Sequence, residues 1–371
     1  MKTHPRILVS CGETSGDIHA ANLVKEIRKK IPDAEILALG GPNVEAAGAR
    51  LTHHVRDYDV LGITGVLTNL PKFARLEKEL KRQLADGVDL FIPVDYPGLN
   101  MRLAAHARRL GVPVLYYISP QIWAWAGHRV NKLAKIVDYM TVILPFEEKI
   151  YRDKGVPVEF VGHPFVEDHE LPMPRAQAVR SGVGLLPGSR PQEVRRILPL
   201  LLETAKWIQK ERPDERFTIG RSPSISKEMY EDIVARQGVE VTLSDDAEDV
   251  MASSRLSIVA SGTATLQSAL LGTPLIIVYR ASMLNYMIAR RLVKVNHIGL
   301  VNIVLGEEAC PEFIQVDAKP APIASKALAL LEDSALRETM VAKFDTLRSM
   351  LSGAGGCRRV AEISAQLIES S

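Results

Sequence analysis

Short apolar runs alternate with amphipathic stretches along almost the whole chain, and that alternation constrains the fold more than any other feature. The runs Arg6–Ser10, Glu35–Ala38, Leu90–Val94, Val114–Ile118, Tyr139–Val142 and Val158–Val161 read as buried strands. Between them, Ala20–Lys30, Leu70–Leu84 and Leu99–Leu110 have the spacing of helices with one apolar face. Such a succession implies parallel strands joined by crossover helices. Near residue 170 the series restarts, with Val183–Leu186, Arg216–Ile219, Val239–Leu243, Leu256–Ala260 and Pro274–Tyr279 as further strands. Two series in 371 residues predict an α/β protein of two doubly wound domains facing a cleft.

The join falls near Asp168–Arg180, where Glu170-Leu-Pro-Met-Pro-Arg175 holds two prolines and no clear period. The expected domains are residues 1–168 and 169–344, with a helical segment, about 345–371, packing back on the first after the glycine-rich break Ser352–Gly356. Lys and Arg number 46 against 44 Asp and Glu, and a formal charge of +2 argues against a nucleic-acid partner. Cys11, Cys310 and Cys357 are sparse and lack C-x-x-C spacing, which suits a reducing compartment better than a disulfide framework. The lead Met-Lys-Thr-His-Pro-Arg is too short for a signal-peptide core, so a cytoplasmic protein is expected. Leu256–Tyr279 carries no charge, yet Gly262, Gly272 and Pro274 interrupt it, so it reads as strand, turn, helix and strand rather than as a membrane span.

Turns at the strand ends hold the residues able to do chemistry. Cys11-Gly-Glu-Thr-Ser-Gly-Asp17 follows the first strand; its small residues let a ligand approach the backbone, or Ser15 and Asp17 cap the next helix. In Leu185-Leu-Pro-Gly-Ser-Arg190, Gly188 and Ser189 offer donors and Arg190 a fork suited to phosphate, unless Arg190 pairs with Glu193 at i+3. Ser261, Gly262, Thr263, Ala264 and Thr265 form a run of small residues between a strand and a helix, more than capping needs, and predict a phosphate or diphosphate site. Asp95, in Phe91-Ile-Pro-Val-Asp-Tyr-Pro-Gly-Leu-Asn100, ends a buried strand, where a carboxylate serves as general base or caps the helix beginning near Pro97. The adjacent His53-His54 pair, and His163 with His169, fit no zinc or facial-triad spacing, so no metal is expected. Leu70–Leu84 and Leu284–Val295 mix Lys and Arg with apolar positions, a pattern shared by helices that dock on anionic membranes and by core-facing ones.

Read together, several segments make the chain resemble the lipid-A-disaccharide synthases, an inverting glycosyltransferase family of Gram-negative bacteria, nearly end to end. They are Gly12-Glu-Thr-Ser-Gly-Asp17, Gly40-Gly-Pro42, Ser119-Pro-Gln-Ile-Trp-Ala-Trp125 with Arg129, Leu144-Pro-Phe-Glu147 and Gly162-His-Pro164. The likeness continues in Leu185-Leu-Pro-Gly-Ser-Arg190, Ser261-Gly-Thr-Ala-Thr-Leu266, Asn302 and Pro311-Glu-Phe-Ile-Gln315. The resemblance implies a GT-B architecture of two Rossmann-like domains, the acceptor on the first and UDP on the second. It implies transfer from UDP-2,3-diacylglucosamine to 2,3-diacylglucosamine 1-phosphate (lipid X), without a cofactor or catalytic metal. It further implies peripheral contact with the inner face of the cytoplasmic membrane and a homodimer with exchanged C-terminal segments.

Carried onto this sequence, Asp95 matches the family's essential carboxylate and Arg190 the arginine that neutralises the diphosphate, helped by the 262–265 backbone. Asn302 matches a further UDP-sugar residue, while Glu13, Ser15, Gly16, Asp17 and Arg129 fall on the acceptor side. Gln267 stands where the family usually has a ribose-binding Glu, and Gly65 where Glu is common; Gly98 replaces an Asp of many members. These departures keep two other readings in view: a paralogous transferase with another UDP-sugar or acceptor, and a non-catalytic UDP-binding protein.

Overall fold

The computed structural model describes residues 4–12, 14–58, 70–121, 129–167, 179–281 and 297–370. The chain divides into two compact units, one made of Met1–Glu170 with Leu351–Ser371, the other of Leu171–Met350. Most of the expected join, residues 168–178, lies outside the described residues. The second span of the first unit begins at Leu351. Helix Ser334–Leu351 runs through that point because buried Phe344, Leu347 and Leu351 continue one apolar face.

In the first unit the strands are β1 (Arg6–Ser10), β2 (Glu35–Gly40), β3 (Arg50–His54), β4 (Leu90–Pro93), β5 (Leu115–Tyr117), β6 (Tyr139–Val142) and β7 (Val158–Phe160). They pair in parallel as β3-β2-β1-β4 and β5-β6-β7, and the single-residue bridges Phe91–Val114 and Val94–Tyr117 join the two ladders. The second unit holds β8 (Val183–Leu186), β9 (Phe217–Gly220), β10 (Thr242–Ser244), β11 (Leu256–Ala260), β12 (Leu275–Tyr279) and β13 (Glu312–Ile314), all parallel in the order β10-β9-β8-β11-β12-β13. Strand order therefore reverses direction between β1 and β4 in one sheet and between β8 and β11 in the other. In open sheets, loops diverge above and below at such a point and leave a crevice at the carboxyl ends of the strands.

The two-residue period of β1 divides the first core. Ile7 and Val9 face a layer that includes Leu23, Val24 and Ile27 of helix Thr14–Lys30 and Val360 and Ile363 of helix Gly356–Glu369. Leu8 faces the opposite layer, with Leu76, Leu80 and Leu84 of helix Leu70–Ala85 and Leu103 of helix Pro97–Arg109. The apolar stripe of the basic helix is thus core-facing, and Lys72, Arg75, Lys78 and Arg82 remain exposed. The other basic stretch, Leu284–Val295, lies outside the described residues. Among the described residues no helix is long and apolar enough to cross a membrane. All three cysteines are buried thiols outside any disulfide.

The chain leaves and re-enters the first unit at one backbone crossing. His163 N–H donates to Leu351 C=O (2.8 Å), Gly356 N–H to Val161 C=O (2.9 Å), and Gly353 N–H to Glu167 Oε1 (2.7 Å). A Cβ on Gly353 would stand 2.3 Å from the Gly162 nitrogen, so the approach demands glycine. The buried His163 ring accepts the Phe165 N–H, and burial, aided by His19, pushes its pKa from 6.5 down to about 3. An unfolded chain takes up that proton near pH 6.5 and the folded one does not, so stability is full above pH 6.5 and falls as pH drops toward 3. Replacing His163 with Gln, which still accepts a hydrogen bond, should flatten the fall in Tm between pH 7 and 5; an equal fall in both proteins would assign it to other groups.

Candidate active site

At the β1–β4 switch point three chain segments meet. Asp95 is solvent-exposed just beyond β4, and it and Tyr96 both adopt left-handed backbone angles (φ 45° and 48°). Beside them, at the end of β5, Ile118 is left-handed too (φ 61°). For L-residues this conformation costs roughly 1–2 kcal/mol each, most for a β-branched side chain, so surrounding bonds must impose it. The Asp95 N–H donates to the carbonyls of Tyr117 and Ile118 (3.2 Å each), and its own carbonyl accepts from the Tyr116 hydroxyl (2.7 Å) and Asn100 Nδ2 (2.9 Å). Asn100 is fully buried; its amide also reaches the carbonyls of Ser10 (3.0 Å) and Val94 (3.3 Å), while Oδ1 accepts the Ser10 hydroxyl (2.7 Å). Burial first, then the negative charge of Asp95, holds the Tyr116 phenol well above its ordinary pKa, so it stays a donor. Tyr96 lays its ring over Gly12, where a Cβ would meet ring carbon at 2.1 Å, so residue 12 admits no side chain. The helix Pro97–Arg109 has Tyr96, not Asp95, at its N-cap position, with no side-chain cap bond there.

The turn after β1 behaves differently from a simple cap. Asp17 is buried, and its carboxylate accepts Gly41 N–H (2.6 Å), Asn43 N–H (3.1 Å), Asn43 Nδ2 (2.8 Å) and Val44 N–H (3.3 Å). It therefore fastens the start of helix Pro42–Ala46 rather than its own helix, and its oxygens are engaged within the fold. That same contact explains Gly41, whose Cβ would fall 2.6 Å from Asp17 Oδ2. Ser15 is exposed and Gly16 buried against Cys11; Arg129 is half-buried at the start of helix Val130–Leu133. Glu13, the Trp123-Ala124-Trp125 segment and Gly65 lie outside the described residues.

At the β8–β11 switch point two turns stand side by side. After β8, Gly188 (φ 108°), Ser189 and Arg190 lead into helix Pro191–Glu211. Glu193 Oε2 accepts the N–H of Ser189 (3.2 Å) and Arg190 (3.3 Å), and Oε1 pairs with Arg190 Nη1 at 3.4 Å. The i+3 pair thus exists, but the Arg190 side chain is 61% exposed and the contact is long, so it contributes little, about 0–0.5 kcal/mol. A carboxylate here occupies donors that would suit a phosphate.

After β11, Ser261 N–H donates to Val278 C=O and its hydroxyl to Ile298 C=O (2.9 Å each). Gly262 and Thr263 are exposed, nothing lies within 4 Å of where a Gly262 Cβ would be, and no side chain caps helix Thr263–Leu270. Open space before the amino end of a helix favours an anion. Ala264 and Gln267 are half-buried, and the buried Thr265 turns its hydroxyl back to Gly262 C=O (2.8 Å), bracing the turn.

Asn302 serves the fold as well. It is fully buried, its Oδ1 accepts Ala309 and Cys310 N–H (2.9 Å each), and Nδ2 donates to Cys310 C=O (2.7 Å) and Glu312 Oε1 (2.8 Å). All four of these side-chain bonds lie within the fold, so Asn302 braces the loop 302–312. Its partner Glu312 also accepts the N–H of Ile298 (3.0 Å) and Gly299 (2.9 Å), fixing the loop that holds the Ser261 hydroxyl. Glu312 and Asn100 fall inside segments that carry the family resemblance, with no role of their own assigned, and Tyr116 carries no sequence signal. Asn100 closes the Asp95 segment and stands among Leu99, Met101 and Leu103 on the buried side of its helix, a polar residue where apolar ones are expected.

Two parallel sheets of this kind, each with polar turns at its switch point, define the chain as a GT-B-like protein. The fold matches a UDP-GlcNAc 2-epimerase from Neisseria meningitidis (TM-score 0.61, 11% identity, 99% of this chain and 100% of that one). It likewise matches a calicheamicin glycosyltransferase (TM-score 0.60, 18% identity, 100% and 99%). The chain belongs to the lipid-A-disaccharide synthetase family, whose model matches residues 7–364. It is 39% identical to the lipid-A-disaccharide synthase of Nitrosococcus oceani, over 98% of this chain and 97% of that protein. The corresponding protein of Trichlorobacter lovleyi is 40% identical, over 99% and 98%.

Proposed function

We propose that the chain is the glycosyltransferase that joins UDP-2,3-diacylglucosamine to 2,3-diacylglucosamine 1-phosphate, releasing UDP and the β-1,6-linked disaccharide 1-phosphate. What supports this reading is a coincidence of position: the family's carboxylate motif and its two phosphate-type turns all lie at switch points, with Asp95, Arg190, Gly262 and Thr263 exposed there. In this mechanism Asp95 accepts the proton of the acceptor 6-hydroxyl as that oxygen attacks C1 of the donor sugar. The bond from C1 to the diphosphate oxygen breaks with its electron pair, and attack from the opposite face inverts the configuration at C1. Charge gathering on the leaving UDP is met by the Arg190 guanidinium and the first N–H groups of helix Thr263–Leu270, an interaction worth several kcal/mol where water is excluded.

Acylated substrates bring the protein to the inner face of the cytoplasmic membrane. The face of helix Leu70–Ala85 left for an anionic leaflet is its charged one, so contact there is electrostatic rather than insertion. A homodimer exchanging C-terminal segments belongs to the same reading. Incubating the purified protein with both acylated substrates should give disaccharide 1-phosphate by mass spectrometry. No product from folded protein that still binds UDP would favour a paralogous acceptor or a non-catalytic binder.

Gln267 stands where the family resemblance implies a ribose-binding carboxylate. An amide at the ribose hydroxyls lacks the charge-assisted bonds of a carboxylate, a difference of about 1–2 kcal/mol. Gln267→Glu should therefore tighten UDP roughly tenfold by calorimetry; weaker binding would remove residue 267 from the ribose site.

A further inference from the structure

Asp95 sits on a sharp turn between a strand and a helix, in a backbone conformation that its own sequence does not favour. Asp95 and Tyr96 on that turn, and Ile118 beside it at the end of β5, are non-glycine residues in left-handed conformation. Asp tolerates this conformation better than most residues, but a buried isoleucine does not, so the arrangement persists only because bonds around it over-determine it. The Asp95 N–H reaches the carbonyls of Tyr117 and Ile118, and two side chains converge on its carbonyl. The carbonyl oxygen of Asp95 accepts the Tyr116 hydroxyl from β5 and the Asn100 amide from the following helix. Both donors are completely buried, and Asn100 is itself anchored to the end of β1 through Ser10.

We propose that Asn100 and Tyr116 are positioning residues which, by gripping the Asp95 carbonyl together, hold that carboxylate in a left-handed elbow at the carboxyl edge of the sheet. The logic is that of a nucleophile elbow, where a strained strand-to-helix turn lifts one side chain clear of the sheet. Here the presented group is a base. Neither Asn100 nor Tyr116 touches substrate; their effect passes through the main chain of residue 95. If the grip is loosened, the turn relaxes toward extended angles and the carboxylate moves, and a displacement of about 1 Å can cost up to 100-fold in rate. The inference rests on Asp95 acting as the base.

Tyr116→Phe removes one buried hydroxyl and keeps the ring, so the protein remains folded. It should lower kcat about tenfold while the KM for the UDP-sugar stays within twofold, a split that general loosening of the fold would not produce. Asn100→Ala should lower kcat further, its folding checked by circular dichroism. In an Asp95→Asn background, Tyr116→Phe should reduce the residual rate no further, because both changes act through one carboxylate. The elbow has a readout independent of turnover. Asp95→Gly and Asp95→Ala both lack the acid, but glycine accepts the left-handed angle, so its melting temperature should exceed that of Asp95→Ala by about 2 °C.

Unchanged kcat in Tyr116→Phe, with Asp95→Asn inactive, would overturn the positioning role and leave the base intact. Full activity in Asp95→Asn would overturn the base itself, and the positioning role with it. Asp95→Ala melting at or above Asp95→Gly would show that the elbow is not imposed on the chain.

Discussion

With asparagine in place of Asp95, turnover falls by about 1,000-fold while UDP binds as before. Asparagine has the shape of aspartate and tolerates the same left-handed angle, so the bonds from Tyr116 and Asn100 to the main-chain carbonyl survive the change. What disappears is an oxygen able to take a proton. General bases contribute typically 10²–10⁴-fold, and the acceptor 6-hydroxyl, a weak nucleophile while protonated, stands in the upper part of that range. The diphosphate donors belong to a different compact unit, so the Kd for UDP should shift less than threefold by calorimetry. Single-turnover measurements with both acylated substrates isolate the chemical step. A rate within tenfold of the parent would remove Asp95 as the base, and a large loss of UDP affinity would reassign it to binding.

How far the sequence anticipates this structure depends on where each residue's partners lie. Central strands are legible because they are buried on both faces: β1, β6, β8 and β11 match their apolar runs end to end. The two strands that periodicity misses, β3 and β13, are edges of their sheets. Their residues, Arg50-Leu-Thr-His-His54 and Glu312-Phe-Ile314, are mostly half-buried and present no continuous apolar run, so pairing rather than hydropathy makes them strands. The uncharged stretch Leu256–Tyr279 resolves into strand, helix and strand as its glycines and proline predict.

For the candidate site, the turns are legible in the sequence and the bonding of their side chains is not. The turns after β1, β4, β8 and β11 stand out by their small or acidic residues. Asp17, however, has partners 24 to 27 residues away, and no local rule distinguishes that fastening from a cap on its own helix. Asn302 looks like a ligand residue by motif, and its side chain also braces a loop eight residues on, which no motif shows. Asn100 and Tyr116 act through a main-chain carbonyl, which leaves no trace in residue type. Long-range polar contacts decide these roles, and periodicity carries no information about them.

Arg190→Ala should weaken UDP by about 30- to 100-fold, and the size of that loss depends on Glu193. Hydrogen bonds to charged groups contribute roughly 1.5–3 kcal/mol, and a guanidinium fork on a diphosphate can make two of them. Against this stands the Glu193 carboxylate, which already engages the N–H groups of Ser189 and Arg190 and reaches the Arg190 side chain. A diphosphate arriving at the same donors meets a like charge and must share or displace it. Because the side-chain pair is long and largely exposed, displacement costs little, and the more highly charged ligand prevails. Two variants follow with opposite signs. Arg190→Ala removes the fork and leaves the repulsion, so affinity falls steeply. Glu193→Gln keeps a side chain that can still bond the helix amino end, removes the repulsion, and should tighten UDP by roughly threefold to tenfold. Both effects are electrostatic, so calorimetry at high salt should shrink the loss in Arg190→Ala and the gain in Glu193→Gln alike. An unchanged Kd in Arg190→Ala would place the diphosphate away from this turn. Weaker binding in Glu193→Gln would mean that the carboxylate organises the turn for its ligand rather than competing with it.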